Sequence, residues 1–452
     1  MTAFALSGAA ATAAADAVVG DLIRAAVAGT GLARLTNAPA GAGKTGAVVR
    51  LVGALASAGA RVGVVTQTNA QAFDVVARTA EAHPKQTVAF MPATSAVLPP
   101  EIALRPNVTT VKPTSIGDAD VVIATADKWA YSRQDILTVG RLDRGIIDEA
   151  YQMTSAKLLR IADLFPSLDL VGDPGQLDPF STIEDAPWVG LPQNPVLNAV
   201  DALLAHHPDI PQRTLQVSRR LDWRATPPVR DAFYPGIVFG PAAERGSREI
   251  RLSTPTRSVT PLAASVWLQA TTAGWAYLEL PERQTLQVDQ ELIQSVAELV
   301  DGLFACTPVV CDERTGLAGR ILRQDRVAVG VSHRNQRAAV QIALQQRGFE
   351  GVVVDTANRL QGREFDVVLA AHPLSGRSDA SAFHLDAGRL CVLASRHRQC
   401  CVMIGRAGAD RLLNDYPPPG NAVLRVHKDP ELDGWEAHAR FLDHLGTVRV
   451  QG

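Results

Sequence analysis

The segment Ala38-Pro39-Ala40-Gly41-Ala42-Gly43-Lys44-Thr45 constrains the fold more than any other stretch of the chain. It follows an apolar run, Leu32 to Thr36, that reads as a strand. It precedes a run from Gly46 through Val48, Val49, Leu51, Val52 and Leu55 with helical spacing. A glycine-rich turn between a strand and a helix N-terminus is built to hold phosphate: successive N–H groups converge on an anion, and the helix dipole adds its positive end. Gly41, Ala42 and Gly43 would line the phosphates, Lys44 would reach the β- and γ-phosphates, and the Thr45 hydroxyl would meet Mg²⁺. The pattern G-x-x-x-x-G-K-[ST] is met except at its first position, where Ala38 replaces glycine.

Composition bounds the rest. A chain of 452 residues, 46% hydrophobic and 20% charged, has room for two or three globular domains. With 44 Lys+Arg against 46 Asp+Glu, the net charge of −2 argues against a strongly basic binder of nucleic acid while leaving room for a local basic groove. The five cysteines, Cys306, Cys311, Cys391, Cys400 and Cys401, form no C-x-x-C pair; Cys391, Cys400 and Cys401 lie in apolar stretches and read as buried thiols, and the odd count fits a reducing cytoplasm. The Ala-rich N-terminus lacks early Lys or Arg and reads as a helix before the first core strand, neither a signal peptide nor a membrane span.

Along the chain, strands are expected at Arg61–Thr66, Asp120–Thr125, Gly145–Asp148 and Leu168–Gly172, alternating with helical patterns. A second series is expected at Arg326–Val331, Val352–Asp355, Phe365–Ala370 and Cys400–Gly405. Alternation of this kind predicts an α/β fold of two lobes, each a parallel sheet flanked by helices, covering residues 1–215 and 216–452. The proline-rich stretch 83–119 reads as an irregular insertion. Between the two series, the region from about 221 to 315 reads as a less regular segment, whose Trp223, Trp267 and Trp275 read as core.

Behind the phosphate loop, Gly145-Ile146-Ile147-Asp148-Glu149 is an apolar strand ending in two acids, fit to hold a metal ion and to accept a proton from water. Leu170 to Pro179 reads as a strand ending in a tight turn that carries Gln176. In this order the segments resemble a superfamily 1 helicase. Ala38–Thr45 is similar to motif I, Thr66-Gln67-Thr68-Asn69 to motif Ia and Asp148-Glu149-Ala150-Tyr151-Gln152 to motif II. Gly172–Pro179 is similar to motif III and Leu215–Arg220 to motif IV. Gln361-Gly362-Arg363-Glu364 resembles motif V, and Val392-Leu393-Ala394-Ser395-Arg396 motif VI. D-E-A-x-Q together with Q-G-R-E is closest to the Upf1-like branch of superfamily 1B, with the RecD-like branch the nearest competitor.

The resemblance implies two RecA-like P-loop lobes, ATP and Mg²⁺ as cofactors, and single-stranded nucleic acid, DNA before RNA, as the partner. It assigns Thr45 and Asp148 to the metal, Glu149 to water activation, and Gln176 to coupling between nucleotide and nucleic acid. Arg220 and Arg396 become arginine fingers, worth a rate factor on the order of 10³ or more. Gly362 and Glu364 fall beside the nucleotide, and Thr68, Asn69, Thr125 and Thr356 along the nucleic-acid backbone. Each threonine also reads as an ordinary strand-end or cap residue. No glutamine precedes Gln67 to read adenine, and Arg219 stands where the family usually has a stacking aromatic. Two other readings stay open: an ATPase that remodels complexes without unwinding, and a binding module switched by ATP. Repair, plasmid transfer, phage replication and defence are all compatible settings for a protein partner.

Overall fold

The computed structural model describes residues 8–29, 31–94, 96–179, 197–418 and 429–452. The chain divides into two compact units. The first lobe comprises Ala13–Pro174 and Asp178–Gln216; the second comprises Val217–Gly452 with Gly175–Leu177 and the N-terminal residues through Thr12.

The first lobe is built on an eight-stranded sheet. Its order is Val108–Thr110, Val88–Phe90, Val121–Thr125, Val62–Thr66, Arg144–Asp148, Leu168–Gly172, Ala33–Asn37 and Gln212–Thr214. Every pairing is parallel. The helix Lys44–Ser57 buries Val48, Leu51, Val52 and Leu55 in a core shared with Val62, Val64, Ile146 and Val171. Each such side chain contributes roughly 1.5–3 kcal/mol by leaving water. A buried ion pair sets one register. Arg34 faces Asp169 across neighbouring strands, its Nε and Nη2 donating to the two carboxylate oxygens at 2.7 and 2.8 Å, while Ser167 Oγ accepts a third bond at 3.0 Å. A fork of this kind suits only one alignment of the two strands.

The stretch 83–119 is not an irregular insertion. Val88–Phe90 and Val108–Thr110 extend the main sheet, and the prolines all lie outside the paired backbone. Three-residue strands are too short to show a period of two, and the surrounding prolines hid them.

The second lobe has a six-stranded sheet, again all parallel, in the order Val353–Thr356, Val327–Val331, Phe365–Ala371, His397–Arg406, Trp275–Leu280, Arg449–Gln451. Two of these were not expected. Trp275–Leu280 lies within the stretch read as irregular, which also folds into the helices Pro261–Ala273 and Gln290–Ala305. Trp267 and Trp275 are core residues, whereas Trp223 is 39% exposed beside the Arg245 guanidinium. All five cysteines are buried and unpaired by disulfides. Among the described residues no helix is long and apolar enough to cross a membrane.

Candidate functional site

Because every strand of the first sheet runs the same way, its C-terminal edge collects the ends that carry chemistry. Asn37 leads into the phosphate loop, Thr66 into Thr68 and Asn69, Asp148 into Glu149, and Thr125 begins the helix Ala126–Tyr131. Gly41 and Gly43 adopt left-handed φ values of 75° and 81°, open to glycine at little cost. Gly43 is the N-cap of Lys44–Ser57 and supplies no side-chain cap, so the helix start offers its backbone donors to an anion.

Lys44 meets both acids at the tip of the strand Arg144–Asp148, one strand removed in the sheet from the strand that leads into the phosphate loop. Its Nζ lies 3.3 Å from Asp148 Oδ1 and in direct contact with Glu149 Oε1. Burial works against the ammonium, but Asp148, Glu149 and Asp173 outweigh it and hold Lys44 well above its usual range. Burial also raises the Glu149 carboxyl above ordinary glutamate, against the pull of Lys44. Glu149 has φ 56° and ψ 48°, a conformation that non-glycine residues rarely adopt. Three bonds fix this turn. Glu149 N donates to Asp148 Oδ1 at 3.0 Å, Gln67 Nε2 to the Asp148 carbonyl at 3.4 Å, and Tyr151 Oη to Asn37 Oδ1 at 2.8 Å. Tyr151, Asn37 and Asp173 were given no role from sequence, although Tyr151 and Asp173 lie within the segments similar to motifs II and III and Asn37 adjoins motif I.

The residues assigned to nucleic acid divide. Thr68 Oγ1 accepts from Gln71 N and Thr125 Oγ1 from Lys128 N, both at 3.3 Å, as helix caps. Each hydroxyl keeps its proton to donate elsewhere. Asn69 Oδ1 is buried with no hydrogen-bond partner among the described residues. Thr356 ends a strand of the other sheet and starts the helix Ala357–Leu360 without a side-chain cap bond.

In the second lobe the residues assigned to the nucleotide gather at the N-terminal edge of the sheet, the opposite edge from Thr356. Glu364 precedes Phe365–Ala371, and Arg396 precedes His397–Arg406. Arg220 Nη1 donates to the Ser395 carbonyl at 3.0 Å, and its Nε lies 3.6 Å from Glu364. Arg396 is buried; its Nε donates to the Val392 carbonyl and its Nη2 to Ser395 Oγ, and Nη1 has no partner among the described residues. Arg219 is exposed and its carbonyl accepts from Arg248. Gly362 has φ 78°. Gln176 Oε1 accepts from Gln361 Nε2 at 2.9 Å, which joins the motif III turn to motif V. Three further residues complete the edge: Arg398 lies 3.6 Å from Glu364 and 3.4 Å from Glu313, and Arg248 pairs with Glu313 at 2.6 Å. The spacing Arg396-x-Arg398 was the one available signal for them.

A family model described as an AAA domain matches residues 266–408, less than half of the chain. No curated protein matches. Among solved structures, arterivirus nonstructural protein 10, a helicase, aligns with 14% identity and a TM-score of 0.44 over 87% of this chain and 61% of its own. The same protein in complex with DNA aligns with 14% identity and a TM-score of 0.43, over 86% and 61%. The E. coli DExH-box NTPase HrpB aligns with 14% identity and a TM-score of 0.43, over 95% and 44%. This chain thus spans less than two thirds of the length of these proteins. Likeness at this level names no family, and the functional reading rests on the residues themselves.

Proposed function

We propose that this protein is an ATP-dependent helicase or single-strand translocase of superfamily 1B, coupling hydrolysis to 5′-to-3′ movement on single-stranded DNA or RNA. The observation that carries the reading is Lys44 held between Asp148 and Glu149 at the mouth of a glycine-ended, uncapped helix. The donor set fits a nucleotide and its metal: backbone N–H groups and an ammonium for phosphate, a hydroxyl and a carboxylate for a hard cation. Thr45 and Asp148 would hold Mg²⁺, which supplies charge neutralisation on the β- and γ-phosphates. Gly41, Ala42, Gly43 and Lys44 would orient the phosphates. Glu149, made more basic than an ordinary carboxylate by burial, would take the proton of the attacking water once Lys44 turns to phosphate. Arg220 and Arg396 would stabilise the charge of the transition state. Glu364 would sit by the ribose and Gly362 beside the nucleotide, Arg219 would stack on the base, and Gln176 would relay γ-phosphate state through Gln361. Thr68, Asn69, Thr125 and Thr356 would position the strand through its backbone, without sequence readout.

The test is NTP turnover by the full chain, with and without single strands, alongside strand displacement. Glu149→Gln should bind nucleotide as wild type does and lose turnover by about 10² or more. Near-normal turnover would remove Glu149 as the base.

A further inference from the structure

The second lobe carries a small sheet, Glu249–Arg251, Val309–Cys311 and Arg320–Ile321, that none of these roles uses. Its first two strands run antiparallel with Glu249 opposite Cys311, so Arg248 and the turn after Cys311 lie at the same end of the sheet. Glu313 sits in that turn. Asp312 holds the turn in shape, its Oδ1 accepting from Arg314 N at 2.9 Å and from Thr315 N at 3.0 Å.

The buried Arg248 guanidinium reaches both segments that carry the candidate arginine fingers. Nε donates to Glu313 Oε1 at 2.6 Å. Nη2 donates to the Arg219 carbonyl at 3.0 Å and Nη1 to the Arg220 carbonyl. The same Nη1 lies 3.5 Å from the carbonyl of Arg398, two residues past Arg396. The Arg248 carbonyl is itself held by Arg224 Nη2 at 3.3 Å, and Arg224 pairs with the buried Asp222 at 2.7 Å. Arg219 and Arg220 lie in a bend just beyond Val217–Ser218, past the two pairs this strand makes with Gly240–Pro241, so their backbone is outside that ladder. Arg248 supplies the fixing that the ladder does not reach.

Glu313 also acts on the finger from its other end. Its Oε2 lies 3.4 Å from Arg398, which lies 3.6 Å from Glu364 Oε1, while Glu364 Oε2 lies 3.6 Å from Arg220 Nε. Arg220 is thus held at its carbonyl through Arg248 and at its guanidinium through Glu364, and Glu313 closes both chains. Only a planar fork can meet a carboxylate and two carbonyls at once; a lysine ammonium at the same place is a single point charge.

We propose that Arg248 and Glu313 are positioning residues for Arg220: Glu313 aims the Arg248 fork at the carbonyls of Arg219 and Arg220, and the fork sets where the Arg220 guanidinium stands in the transition state. The proposal rests on the role given to Arg220 above and gives the small sheet its part in that role.

Steady-state hydrolysis of ATP with Mg²⁺ by the full chain tests it, in a cycle of Arg248→Lys, Arg220→Ala and the double variant. Arg248→Lys should lower kcat by about tenfold or more, since a displacement of about 1 Å can cost about 10²-fold. KM should change by about twofold or less, because the positioned group acts in the transition state. In the Arg220→Ala background the same change should lower kcat by about twofold or less, because the group it positions is gone. A merely structural loss would cut both backgrounds alike. The Glu313 side chain is 38% exposed and outside the hydrophobic core, so Glu313→Ala should repeat both results with the fold kept. It carries the test if the thermal midpoint of Arg248→Lys shows unfolding. Wild-type kcat in either folded variant, or an equal fold-loss with and without the Arg220 side chain, would overturn the positioning role and leave the hydrolysis reading in place. Wild-type kcat in Arg220→Ala, or no hydrolysis of ATP by the wild-type chain, would sink the finger and this proposal with it.

Discussion

Replacing Lys44 with methionine should destabilise the first lobe in a way that depends on pH and on Glu149. In the native lobe the Lys44 ammonium lies between two buried carboxylates, Asp148 and Glu149, which are 3% and 6% exposed. Removing one partner of a buried pair costs about 3–5 kcal/mol, because the remaining charge has lost its compensation. Here the cost has an outlet, since Glu149 can take up a proton. At neutral pH we expect about 3 kcal/mol, which for a unit of this size lowers its thermal midpoint by roughly 6–12 °C.

The pH dependence has a definite sign. Without Lys44, burial together with Asp148 and Asp173 acts unopposed on Glu149 and raises its carboxyl further above the unfolded value. A group whose folded pKa is raised contributes stability at low pH that is lost as pH rises through the folded value. The deficit in Lys44→Met should therefore be small near pH 5 and grow towards pH 8. Adding Glu149→Gln removes the stranded charge and should recover at least about half of the loss, a coupling well above the ~0.5 kcal/mol scatter of independent sites. Calorimetry of nucleotide-free protein, for the two single variants and the double, measures all of this. Additive effects, or a deficit that does not change between pH 5 and 8, would refute the electrostatic account of the triad.

Two other outcomes are expected. Burial holds His372 and His397 at about 3, far below the ordinary value near 6.5, so their neutral forms support the fold above that value and the support is lost as pH falls towards 3. Each should withdraw roughly 1.4 kcal/mol per pH unit below about 6.5, and a second-lobe midpoint that stays flat between pH 7 and 5 would contradict this. Gly388→Ala would set a methyl group 2.6 Å from the Gln176 carbonyl carbon and the Leu177 nitrogen, so the motif III turn must move, at about 1–3 kcal/mol. Stimulation of NTP turnover by single strands should fall in this variant while unstimulated turnover is kept; equal losses in both would point to general unfolding instead.

The parts of this protein that can be read from its sequence are those whose determinants lie within one turn of backbone. The phosphate loop needs two glycines, a lysine and a helix start in consecutive positions, and the strand tip at Asp148 and Glu149 needs only four apolar-to-acidic residues in a row. Strand-helix alternation then implies parallel sheets, since a parallel connection must cross over. Long-range pairing, by contrast, left no local trace. Gln361 and Gln176 are separated by 185 positions, and nothing in the periodicity around either points to the other. Val88–Phe90 and Val108–Thr110 are strands only because a sheet edge was there to receive them. Trp275–Leu280 is buried on both faces and shows no alternation to mark it. Phe383, His333 and Arg389 come from separate elements, and only the packing of the second lobe set the imidazole and the guanidinium against the ring. Local chemistry is written in consecutive residues, whereas strand order and side-chain partnership are settled by which surfaces exclude water together.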